Sequence, residues 1–185
     1  MKDDTMKKLM MLFAAVLALA VMAIPATAGA VKAGGSEGSN RASKVDATWL
    51  LEASGTDLFE IQAGQLAMKQ GQSSAVKKLG ETLSRAHSRT YGEGKKLAAK
   101  VVATVAKNPS AKMKVQLQAL GTKKGAAFDK AYATLMIKGH ELSIAKANFE
   151  LQHGSNAMVL AAVRKDLKMY EMHLKMAEAV MQGQM

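Results

Sequence analysis

The chain has no cysteine, which rules out disulfides, thiolate metal ligands and a thiol nucleophile. Proline is limited to Pro25 and Pro109, and aromatic residues make up only 4%, with Trp49 the sole tryptophan. Valine and isoleucine nowhere gather into the alternating runs that build strands, so a sheet or barrel is not expected. Ser/His/Asp arrangements, Gly-rich phosphate loops and nucleotide signatures are also missing, and Gly92-Glu93-Gly94 is too short to be one. No acid, base and nucleophile set can be assembled, so an enzyme is not the expected function. Acidic residues are in deficit: Lys and Arg total 26 against 15 Asp and Glu, a net charge of +11.

One long apolar run exists, and it lies at the start. Lys2, Lys7 and Lys8 precede an uninterrupted stretch from Leu9 to Ile24, followed by Pro25 and the small residues Ala26 to Ala30. A basic start, an apolar centre and an A-x-A exit describe a secretory signal peptide over residues 1–28, cleaved after Ala28 or Ala30. The run is shorter than the roughly 20 residues a spanning helix needs. The expected location is therefore periplasmic or otherwise exported. Nucleic acid is not the expected partner there. The spread of lysines reads mainly as a solvated face, with weak association to an anionic envelope surface as a charge-driven option.

Residues 29–45 are rich in Gly and Ser and read as a flexible lead-in. From there to residue 182 the composition turns to helix formers, chiefly Ala, Leu, Lys, Gln and Met. Asp46 is a plausible N-cap for a first helix ended by Gly71, with Ser73 or Ser74 capping a second that Asn108-Pro109 stops. Ala111 to Leu120 forms a short helix closed by Gly121. A third long stripe runs from Ala126 to Leu151, and a fourth from Val159 to Val180. His153-Gly154-Ser155 between them reads as last-turn histidine, C′ glycine and new N-cap. Four helices of about 25 residues, two tight turns and one longer crossover give an all-α, antiparallel four-helix bundle, ferritin-like, with a short extra helix in the crossover.

Polar residues interrupt the apolar stripes. His87, His140 and His173 each occupy the centre of their helix's apolar face, with Asp57, Glu60 and Asp166 on or near the same stripes. If the turns near residues 72 and 154 share one end, about 1.5 Å of rise per residue places Asp57, Glu60, His87, His140 and Asp166 within roughly 6 Å in height, and His173 about one turn further. Buried ionisable groups cost several kcal/mol unless paired or metal-bound. These six residues are accordingly the candidate ligands of a divalent ion, zinc or iron by donor type. The competing explanation is a set of His–Asp pairs that fix helix register. A di-iron centre fits poorly, because only Glu150 and His153 have the Glu-x-x-His spacing, and they fall on a helix's last turn. Met169, Met172, Met176 and Met181 surround His173, a thioether set that suits Cu(I), although such methionines are more often core filler.

Several segments carry a family resemblance. Leu58-Phe59-Glu60-Ile61-Gln62-Ala63-Gly64-Gln65-Leu66-Ala67, then Ala75 to Leu79 and His87, then Phe128 to Tyr132 with His140, then Leu167 to Leu174, resemble in order and spacing the domain-of-unknown-function family 4142 over about residues 46 to 180. The resemblance implies an exported bacterial ferritin-like bundle without a defined activity. It places Glu60, His87, Asp129, Tyr132, His140 and His173 on the family's recurring polar positions. The family usually has Asp before the second- and third-helix histidines, where this chain has Ala86 and Gly139. Two functions follow as expectations: a periplasmic bundle holding one divalent ion, or a non-catalytic structural or envelope-stress interaction protein whose polar core only sets register.

Overall fold

Open backbone amides at helix starts need acceptors, and this chain supplies short polar side chains at four of the five starts seen among the described residues. The computed structural model describes residues 40–183; the expected leader, and the lead-in up to residue 39, lie outside them. Helix α1 spans Lys44–Gln70, α2 Ser74–Lys100, α3 Ala111–Gly121, α4 Gly125–His153 and α5 Ala157–Met181. Side chains of Ser43, Ser73, Ser110 and Asn156 cap α1, α2, α3 and α5. No helix among the described residues is long and apolar enough to cross a membrane.

Three boundaries differ from the sequence expectation. Asp46 is not the N-cap of α1. Ser43 is, and Asp46 closes a capping box from inside the helix by accepting from Ser43 N at 2.8 Å. Helix α2 stops at Lys100, before Asn108-Pro109. Val102 turns left-handed (φ 54°), and Ala103 N donates to Ala98 O at 2.9 Å, the closing bond of a Schellman motif. Asn156 rather than Ser155 caps α5: its Oδ1 accepts from Met158 N and Val159 N, while the Ser155 hydroxyl donates to Asp46 Oδ2 at 3.4 Å. Gly154 is extended, not left-handed. Its lack of a side chain matters sterically, because a Cβ there would press on the Glu150 carboxyl and lie 2.9 Å from Asp46 Oδ1.

Hydrogen bonds between residues far apart in sequence establish the helix directions. Asp129, in the second turn of α4, accepts from Gln72 N and Ser73 N at 2.8 Å each, which puts the α1–α2 turn and the start of α4 at one end. Asp46, at the start of α1, accepts from Ser155 N and Asn156 N, which puts the α4–α5 turn at the opposite end. The two tight turns therefore do not share an end. Helices α2 and α4 run the same way, diagonally across the bundle, and the crossover carrying α3 climbs its full length. This is the one-crossover connectivity of ferritin-like bundles. Helix α1 packs on α2 and α4, and α5 on α4 and α2, each pair antiparallel.

Helices α1 and α2 approach closely where Gly64 faces Gly80. A Cβ on Gly80 would lie 2.6 Å from Ala67 Cβ and 2.8 Å from Gly64 O, so both positions require the missing side chain. The apolar interior falls into two clusters. One joins Phe59, Leu79, Leu83, Phe128, Tyr132 and Met136; the other joins Trp49, Leu50, Val101, Val159, Val163 and Tyr170. The polar stripe residues lie between them.

Candidate metal centre

His87 comes from the middle of α2, His140 from near the midpoint of α4, and His173 from α5. All three are fully buried. Each offers one ring nitrogen, and these nitrogens lie within 4.8 Å of one another. Ring centroids are 5.8 Å apart for His87–His140, 5.4 Å for His87–His173 and 5.3 Å for His140–His173. Because His140 sits near the centre of its helix, inverting the α4–α5 turn barely changes its height. His173 follows the same turn, so its offset from His140 does not depend on which end that turn occupies; the side chains close it, with His173 Nδ1 3.3 Å from His140 Nε2.

Hydrogen bonds define the tautomers. His87 Nδ1 donates to Asp57 Oδ1 at 2.7 Å, which also accepts from Thr90 Oγ1 at 2.8 Å. His140 Nδ1 donates to the Met136 carbonyl at 2.8 Å. In both rings Nε2 therefore keeps its lone pair, as in the carboxylate–histidine and carbonyl–histidine pairs that orient metal ligands. His140 Nε2 accepts from His173 Nδ1 at 3.3 Å, so the lone pair of His173 is on Nε2. His87 Nε2, His173 Nε2 and Glu60 Oε2 are buried without a hydrogen-bond partner. Such atoms are costly in a dry interior, and a bound cation would satisfy them.

Glu60 flanks the triad, with Oε2 3.6 Å from His87 Nε2 and Oε1 3.6 Å from His140 Nδ1. Burial, with the Asp57 charge adding to it, raises the Glu60 pKa well above the usual carboxylate range. Burial likewise raises Asp57 to about 7, against the opposing Thr90 hydrogen bond. It lowers His87 to about 3; His140 falls to about 4 and His173 to about 3, each from burial first and neighbouring rings second. The imidazoles are thus neutral at physiological pH, the state in which they bind metal. Tyr170 stacks on His87 at 6.3 Å and closes one side.

Of the six expected ligands, the structure brings the three histidines together and places Asp57 and Glu60 around them. Asp166 is different. It is only half-buried and lines clefts facing α2 alongside Thr90, outside the triad. Burial and the Asp57 charge push it up to about 7. Two contributors went unnoticed in the sequence. Thr90 stands three residues after His87 on the same helical face, a spacing that would have signalled it. Tyr170 falls within the fourth apolar stripe, where a tyrosine reads as core. Asp129 and Tyr132, two of the family's polar positions, stand apart from the triad: Asp129 caps the α1–α2 turn, and Tyr132 is buried with Phe128 in the first apolar cluster.

Fold and site together define a ferritin-like helical bundle with a buried three-histidine cluster between two apolar layers. The chain belongs to the family described as Domain of unknown function (DUF4142), whose model matches residues 31–180. Its fold is similar to that of a DUF305 fragment from Deinococcus radiodurans, with TM-score 0.69 and 11% identity, covering 77% of this chain and 98% of that one. It is also similar to CopM in the Cu(I)-bound form, with TM-score 0.63 and 16% identity, covering 75% and 96%. None of the curated proteins compared with it matches.

Proposed function

We propose that this bundle is an exported, non-catalytic copper-binding protein that holds one ion between His87, His140 and His173. The observation that carries the reading is the convergence of three neutral imidazoles, from three helices, on one buried point, with the Nε2 lone pairs of His87 and His173 left unpartnered. Imidazole sets without thiolate suit copper or zinc. Two features favour copper: the thioethers of Met169 and Met172 line the cleft whose floor is His173, and the similar bundle of CopM carries Cu(I). Export rests on the leader alone. Zinc is the second reading, favoured by Glu60, whose carboxylate beside His87 offers an oxygen donor.

Elemental analysis of protein purified without tag or chelator, then reconstituted anaerobically with Cu(I), Zn(II) and Fe(II) singly and in competition, tests this. About one equivalent of copper is expected, and His140→Gln or His173→Gln should lower it below roughly a tenth while helical circular dichroism persists. Wild-type protein that retains less than about a tenth of an equivalent of every metal would leave the histidines as register-setting pairs only.

A further inference from the structure

Between α2 and α5 runs an open groove of about 890 Å³, and His173 is the one member of the triad that lines it. Its walls carry Lys78, Arg89, Arg164 and Lys168, all exposed, none with an ion-pair partner among the described residues. The other charges on the walls are two ion pairs and one half-buried carboxyl, Asp166. Arg85 pairs with Glu81 at 2.7 Å, and Lys165 pairs with Glu93. Toward the floor lie Met169, half-buried, and Met172, 52% exposed, beside the fully buried His173 with its unpartnered Nε2.

These features pull in opposite directions for a bare cation. The floor has soft donors and a lone pair that suit a metal ion, but four uncompensated positive charges at the mouth repel one. Both are reconciled if the metal arrives already wrapped in negative charge. We infer that the groove is the receiving site for a small anionic chelate of the metal, which docks against Lys78, Arg89, Arg164 and Lys168 and delivers its ion past Met169 and Met172 to the triad. This rests on the copper reading above. The volume falls within the roughly 300–1,000 Å³ of small-ligand sites, whereas a protein donor would need a contact of about 800 Å² on each side. A phosphate or lipid headgroup would match the cations but leave the thioethers and the imidazole without a role. Transfer is ligand exchange without redox change: nitrogen lone pairs of the protein replace the carrier's donors, copper stays Cu(I), and the carrier leaves as its free anion.

The test loads apo-protein with Cu(I) from two carriers, the anionic bis(bicinchoninate) complex and the cationic acetonitrile complex, and follows transfer by stopped-flow absorbance. With the anionic carrier, the wild-type rate should fall steeply with added salt, and Arg89→Glu/Arg164→Glu/Lys168→Glu should slow it at least about tenfold. With the cationic carrier the same variant should load as fast as wild type or faster, and final copper content should be unchanged. The salt series needs no variant and stands if the triple substitution fails to fold. Anionic-carrier rates indifferent to both salt and charge reversal, with copper still bound, overturn the groove while leaving the metal reading intact. No copper taken from either carrier overturns both.

Discussion

Asp57 shows how one side chain sets the character of the site. Its Oδ1 accepts from both His87 Nδ1 and Thr90 Oγ1, which holds the ring so that Nε2 faces the other imidazoles. Asp57→Asn keeps an oxygen acceptor in place and removes only the charge that makes His87 a stronger donor. Outer-shell changes of this kind typically cost 10- to 100-fold in metal affinity, and a loss of about that size is expected here. Competition against a chelator of known affinity measures it. An unchanged affinity would mean that Asp57 has only a packing role. Thr90 and Tyr170 could have been singled out from their positions relative to His87 and His173, but nothing in composition says which polar atom a buried ring will choose.

At the level of the helix, glycines with the same intrinsic propensity carry opposite meanings. Gly80 is where α1 and α2 touch, and a Cβ there would lie 2.6 Å from Ala67 Cβ, with backbone oxygen on its other side. Gly80→Ala should therefore destabilise by about 1–3 kcal/mol through overpacking. Gly92 has nothing within 4 Å of a built Cβ and sits inside α2. Gly92→Ala should stabilise by about 0.5–1 kcal/mol by limiting the unfolded chain. Urea denaturation of the two variants side by side tests the pair, and changes of the same sign would refute the close-packing account. Helix existence was readable from periodicity, as was the short helix of the crossover. Ends were not. The α2 stop depends on Val102 accepting a left-handed backbone, and Ala42 N donates to Val101 O at 2.8 Å at that same end, a tie that no local pattern announces.

For the molecule as a whole, one end is tied by a carboxylate that joins three helices. Asp46 is fully buried and receives Ser43 N, Ser155 N and Asn156 N. Burial opposes its ionisation, but hydrogen bonds from Ser43, Glu150 and Asn156 outweigh that and pull it down to about 2. Glu150 beside it is pushed up to about 7, by burial first and Asp46 second. The sign follows directly. Between 4.5 and about 7 the folded state holds the Glu150 proton and the unfolded state does not, so this group's contribution falls as pH rises through that window. Glu150→Gln keeps a donor facing Asp46 and cannot ionise. Relative to wild type it should gain on the order of 1 kcal/mol between about pH 5 and about pH 8. Thermal melts across that range test it, and parallel pH profiles for the two proteins would count against a buried acid pair.

The sequence by itself determined the helices, their apolar faces and the residues that break them, because a 3.6-residue period and a polar atom at its centre are local properties of the chain. That was enough to nominate His87, His140 and His173. Which end each turn occupies was not local. It was decided by Asp129 capping the α1–α2 turn and Asp46 gripping the α4–α5 turn, contacts that span 56 and 109 residues. That choice set the helix directions; side-chain packing then brought the His173 ring against the other two and left Asp166 at the cleft wall. A metal site is a distance between side chains from different helices, and only the packed bundle sets distances.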